Sequence, residues 1–221
     1  MAQVYARDVP LLRTPEHADV LQVLWCPFDH PAQPRTAVFW RTAAAVDHVL
    51  AAPPEPPALQ YDGYLLHPCH LTPEDVTEYP DSIELEPELR QRVENCRAWE
   101  TVIAEVNGTE EVTSEEFYSE ALSVAPGWKV GGWTSWNLTD PQPRSCDRCG
   151  SEMTPLLTIA SAEWDDNRTT WIPEEEQIPD PGSYIEPDLA QPTMVRIAGG
   201  HNLQFYVCSE SPDHPYIELA Q

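Results

Sequence analysis

Twenty-four prolines are spread through 221 residues, and each removes a backbone donor and holds φ at about −65°. That density rules out long helices and cuts any sheet into short strands, so a loop-rich chain of brief elements is expected. The stretch 51–57 alone holds four prolines and reads as a linker or a long surface excursion. Enough apolar material remains for a real core. Hydrophobic residues make up 41% of the chain, with eight Trp and eight Tyr. A chain of this length is expected to bury roughly 70% of its unfolded surface without help from a metal or a disulfide.

The apolar residues fall in strand-like runs. Residues 19–25 and 36–41 are rich in Val, Leu and aromatics, with Cys26 to Pro31 as the loop between them. Further strands are expected at 156–160, 194–197 and 203–208. One helix is expected over 87–104, with Leu89, Val93, Cys96 and Ile103 near one face and Pro87 in its first turn. Asn107-Gly108 ends it as a turn. Thr113 and Glu116 then form a capping-box pattern that opens a short helix to about Leu122. The runs at 21–24 and 38–40 are loosely echoed at 156–159 and 205–207, a weak internal duplication that chance explains nearly as well. The expected fold class is α+β and β-rich: two similar, mainly antiparallel sheet units packed together with a few short helices. Residues 1–50 with 120–221 form the strand-rich part, and 51–119 form an acidic, proline-containing, partly helical excursion.

Charge narrows the function classes. The chain carries 37 acidic and 12 basic residues, a net of −25, and Lys129 is its sole lysine. Residues 72–120 and 161–190 are the most acidic stretches. Such a balance repels nucleic acid and anionic membrane and favours basic partners; equally, it serves solubility alone. The first residues lack the basic-then-apolar pattern of a secretory signal, and no 18-residue apolar run occurs. A cytosolic protein is expected, with its six cysteines as reduced thiols or metal ligands.

The densest chemistry lies between 127 and 157. Gly127, Trp128, Lys129, Val130, Gly131, Gly132, Trp133 and Trp136 precede Cys146-Asp147-Arg148-Cys149-Gly150. Two sulfurs three positions apart can bind one tetrahedral ion, and Gly150 permits the turn that aims amides at them. One pair is half a site; Cys208 and His214 are the plausible complement, with one structural zinc as the ion. The alternative is a turn with two reduced, partly buried thiols. The glycines match neither a P-loop nor a dinucleotide fingerprint. They let the chain turn so that Trp133 and Trp136, with Trp128 nearby, land on the core or on a binding groove. His67-Pro68-Cys69-His70 reads as an exposed polar loop, since adjacent residues of an extended chain point apart. Cys26 and His30 could be a thiol and its base, though no third group or oxyanion site is spelled out nearby.

The order Gly-Trp-Lys-Val-Gly-Gly-Trp-x-x-Trp, Cys-x-x-Cys-Gly, x-Met-x-x-Leu-Leu, then an aromatic strand ending in Cys resembles the YwqG-like bacterial family. More distantly it is similar to programmed cell death protein 2. The likeness covers mainly 120–160 and 200–215. It implies one domain over 1–221, a β-rich fold of two similar sheet units, and, from the eukaryotic relatives, chaperoning of a basic ribosomal protein. Relatives with a full metal site place a second cysteine soon after the position of Cys208, where this chain has Ser209, Glu210 and Ser211. His214 must then substitute if zinc binds.

Two functions follow as expectations. One is a chaperone-like or immunity-like binder that holds a basic protein partner through its acidic surface, with Trp128, Trp133 and Trp136 as apolar contacts. The other is a small-molecule hydrolase or transferase with a site between the sheet units near Cys26, His30 and the tryptophans.

Overall fold

The computed structural model describes residues 1–30, 34–50, 54–96, 99, 112–165, 168–174 and 187–221. Two antiparallel sheets organise them. The first has three strands in the order β1 (Ala2–Tyr5), β2 (Val20–Asp29) and β3 (Pro34–Arg41). The second has four: β4 (Lys129–Val130), β5 (Met153–Ile159), β6 (Leu203–Cys208) and β7 (Ile217–Ala220). Both are meanders in which chain neighbours pair. With only short helices beside them, the β-rich α+β class holds.

Side-chain alternation along the strands decides what is buried. Leu21 and Val23 of β2, with Trp25 beside them, face the second sheet. From the other side come Leu156, Leu157 and Ile159 of β5 and Leu203, Phe205 and Val207 of β6. Adjacent Leu156 and Leu157 both reach this core because the register of β5 against β6 shifts between Pro155 and Leu157. A bulge of this kind turns consecutive side chains onto one side and tolerates a proline. Polar bonds join the sheets at their rim: the Tyr216 hydroxyl donates to the Thr36 carbonyl at 3.1 Å and the Trp40 indole to the Pro212 carbonyl at 3.1 Å.

Several expected boundaries move. β2 runs through the expected loop at Cys26–Asp29, because a register shift between Trp25 and Asp29 accommodates Pro27. The carbonyl of Pro27 instead accepts from the Gln60 amide at 2.9 Å. Residues 194–197 are not a strand. They cross the core as an irregular strap with Val195 and Ile197 fully buried, and the Arg196 amide donates to the Gly63 carbonyl at 2.7 Å. The expected long helix is α1 (Pro87–Glu94), ended by Asn95, whose side-chain amide donates to the Gln91 carbonyl. Val93 is buried, whereas Leu89 is 42% exposed. Ile103 and the turn at Asn107-Gly108 lie outside the described residues. The Thr113–Glu116 capping box forms as expected, at the head of a short helix, Ser114–Phe117.

The acidic excursion has a small core of its own: Leu85, Val93 and Tyr118, with Trp99 and Leu122 against them. Its attachment to the second sheet combines apolar packing, with Tyr64 and Leu66 against the main core, and an ion pair. Glu78 reaches under the glycine–tryptophan segment and pairs with Lys129. Among the described residues no helix is long and apolar enough to cross a membrane.

Candidate metal centre and adjoining groove

Alternation along β6 builds both features. Leu203, Phe205 and Val207 enter the main core, so Gln204, Tyr206 and Cys208 face the opposite side, where all three are still buried. The chain from 133 to 149 covers that face. Buried polar groups such as Gln204 and Tyr206 need partners, and both have them. The Tyr206 hydroxyl donates to the Gln204 side-chain oxygen at 2.6 Å and lies 2.8 Å from the Thr134 hydroxyl; the Gln204 side-chain amide donates to the Ser135 carbonyl at 3.3 Å.

At the end of this strand Cys208 meets the Cys146–Gly150 turn. The Gly150 amide donates to the Cys146 carbonyl at 2.7 Å and the Cys146 amide to the Ser151 carbonyl at 2.8 Å. Gly150 has φ +76°, which suits a residue without Cβ. The loop after β6 then folds back, with the His214 amide donating to the Ser211 carbonyl at 3.1 Å. This brings Cys146, Cys149, Cys208 and His214 together, with all four ligand atoms within 4.8 Å of one another.

Three of the six donor separations are close to those of one small tetrahedral ion, and all lie within 4.8 Å. Metal–sulfur bonds of about 2.3 Å and metal–nitrogen bonds of about 2.0–2.1 Å imply S···N separations of about 3.5 Å and S···S of about 3.8 Å. The His214 Nδ1 lies 3.5 Å from both Cys146 Sγ and Cys149 Sγ, and Cys149 Sγ lies 3.4 Å from Cys208 Sγ. All six cysteines are free thiols. Hydrogen bonds from the Ser151 hydroxyl and amide, then from Cys208, lower the Cys149 thiol to about 6. Burial pushes the Cys208 thiol up, opposed by the Ser211 and Glu210 amides, which favour its thiolate. These four residues could hold a metal ion. His214 supplies the fourth potential donor.

A groove of about 830 Å³ adjoins this centre. It opens beside β5 at Met153–Leu156, between the chain at 130–136 and the arm at 141–144. Trp133 and Trp136 line it. Trp133 is 43% exposed. The Arg144 guanidinium stacks over two rings of the wall, 4.2 Å from the Tyr206 centroid and 4.8 Å from that of Trp136. Glu84 faces the Trp136 indole N–H and Arg144. Burial raises its carboxyl above the ordinary range, and those two neighbours act against the shift. Trp128 is not in this groove; it packs, half-buried, against the main core.

The glycines serve this geometry. The amides of Trp128 and Trp133 each donate to a carboxylate from outside the segment, Glu163 and Glu78 respectively. A Cβ on Gly127 would lie 2.3 Å from Glu163 Oε2, and one on Gly132 would lie 2.0 Å from Glu78 Oε1. Each Gly-Trp step thus seats a carboxylate against the backbone. A glycine followed by tryptophan could have suggested close backbone approach from sequence, but nothing local names Glu78 or Glu163 as the group that approaches.

The remaining candidates do not assemble. His67, Cys69 and His70 are exposed and join no cluster of metal-ligating groups among the described residues. No hydrogen bond links Cys26 to His30 among the described residues, and the second cavity, near Asp29, Tyr61 and Tyr64, contains neither. No protein-family model, curated protein or solved structure matches the chain.

Proposed function

We propose that this is a YwqG-like, cytosolic binding protein that holds a basic protein partner, with one structural zinc on Cys146, Cys149, Cys208 and His214. Trp133 and Trp136 are its apolar anchors. The observation that carries the reading is the exposed Trp133 ring at the mouth of a large groove, in a chain with a net charge of −25. Rigid aromatic rings in concave sites are efficient binding anchors, and the surrounding acidity would steer a basic partner towards them. Three thiolates and an imidazole are a donor set suited to zinc. In this role zinc would tie the Cys146–Cys149 turn to the end of β6.

The test is affinity capture with the intact protein across a salt series, repeated with Trp133→Ala and with the pair Glu86→Lys and Glu88→Lys. The proposal expects the same basic proteins to be retained at low salt, lost progressively as salt rises, and reduced in both variants. Capture indifferent to salt, to the ring and to the charges overturns it.

A further inference from the structure

The metal ligands and the groove share two short pieces of chain. Arg144 stands two residues before Cys146, and Tyr206 two residues before Cys208 on the same face of β6. The guanidinium of Arg144 rests on Tyr206 and on Trp136. Its backbone is held to β5 by one bond, from the Met153 amide to the Arg144 carbonyl at 3.0 Å, beside the isolated Ser145–Glu152 bridge. No salt bridge fixes its side chain among the described residues. A single bridge at a sheet end is where local opening begins. A metal joining Cys146 and Cys149 to Cys208 would clamp that end.

We propose that Arg144 is a positioning residue through which occupancy of the metal centre sets the place of the Trp136 ring in the groove. The proposal rests on the zinc reading above. With zinc bound, the turn is locked onto β6 and Arg144 is pressed between Tyr206 and Trp136, so the groove wall is preorganised. Without zinc the 141–149 arm loosens, Arg144 leaves the rings, and Trp136 loses its packing partner. By linkage, whatever binds the ordered groove tightens zinc by the same factor that zinc tightens it.

The test uses full-length protein carrying fluorotryptophan, with the Trp136 fluorine resonance assigned by its loss in Trp136→Phe. Protein stripped of metal by a chelator is titrated with zinc, and uptake is counted by native mass spectrometry. The expected result is a shift of the Trp136 resonance that tracks zinc uptake. In Arg144→Met uptake should persist while the shift is lost; in Arg144→Lys, which keeps a cation over the rings, part of the shift should return. Zinc uptake without a Trp136 shift, or an unchanged shift in Arg144→Met, overturns the coupling and leaves the metal assignment standing. No uptake by the unmodified chain overturns both.

Discussion

The ammonium of Lys129 lies 2.8 and 3.1 Å from the two carboxylate oxygens of Glu78. The two side chains are only 12% and 8% exposed. The sole lysine of a strongly acidic protein is therefore spent inside it. Glu78 also accepts from the Ala125 and Trp133 amides, so four donor contacts converge on one carboxylate. Burial lowers the Lys129 pKa, and the Glu78 charge and hydrogen bond oppose that shift. The pair ties the acidic excursion to β4, and with it the start of the groove wall.

Breaking that pair should be costly. Lys129→Met leaves a buried carboxylate without its counter-charge, a change expected to cost about 3–5 kcal/mol. Urea unfolding should show the loss as a lower midpoint. A change within about 0.5 kcal/mol, typical of surface positions, would mean that Glu78 is satisfied without the lysine.

Gly131 and Gly132 separate two effects. Both have positive φ, at +72° and +75°. A Cβ at Gly131 meets nothing within 4 Å, whereas one at Gly132 would sit on Glu78. Gly131→Ala should therefore cost only the left-handed backbone penalty, about 1–2 kcal/mol. Gly132→Ala should cost clearly more, because the carboxylate must also move. Equal losses in denaturant melts would contradict this account of the Gly-Trp step.

The metal centre predicts a stoichiometry. Protein purified without chelator should carry one zinc per chain by elemental analysis. Cys208→Ser should abolish it, because among the described residues no other group joins the four to replace the buried sulfur. Chelation of the unmodified protein should lower its melting temperature, since an ion bound to the folded state stabilises it by mass action. Full zinc content in Cys208→Ser would remove that residue from the site.

Thiol reactivity gives a pH test. With its pKa lowered to about 6, Cys149 in metal-free protein should be mostly thiolate at pH 7. Its alkylation rate should rise about tenfold between pH 5 and 7 and then level off. Cys69, also exposed, has its thiol pushed up by burial and then by Glu163, so it should react more slowly than Cys149 at neutral pH. Peptide mapping after a brief iodoacetamide pulse would distinguish them, and added zinc should protect Cys149 but not Cys69. Faster labelling of Cys69 at pH 7 would refute the ordering.

The four residues that could hold a metal ion were legible because cysteine and histidine are rare and each half of the group is local, although the halves lie 59 or more positions apart. A Cys-x-x-Cys-Gly turn has few conformations, and Cys208 and His214 sit where a strand ends. The capping box at Thr113 and Glu116 was legible for the same reason, since both partners lie within one turn. Strands β2, β3, β5 and β6 announced themselves through apolar runs. The four-residue edges β1 and β7 and the two-residue β4 did not, because so few residues carry no usable period. Residues 194–197 were apolar enough to be read as a strand. Apolar character reports burial, however, and Val195 and Ile197 are buried without a sheet partner.

Composition and near neighbours in the chain were enough to read the class of fold, the acidity and the two halves, Cys146 with Cys149 and Cys208 with His214, of a group that could hold a metal ion. Only the tertiary structure decided which tryptophan meets the groove and which the core, that Arg144 stacks on Tyr206, and that Lys129 belongs to Glu78. Those outcomes join residues 51 or more positions apart, or on separate elements. A carboxylate or a ring in a sequence states what it can bind, but its partner is chosen by the close packing of the whole chain around it.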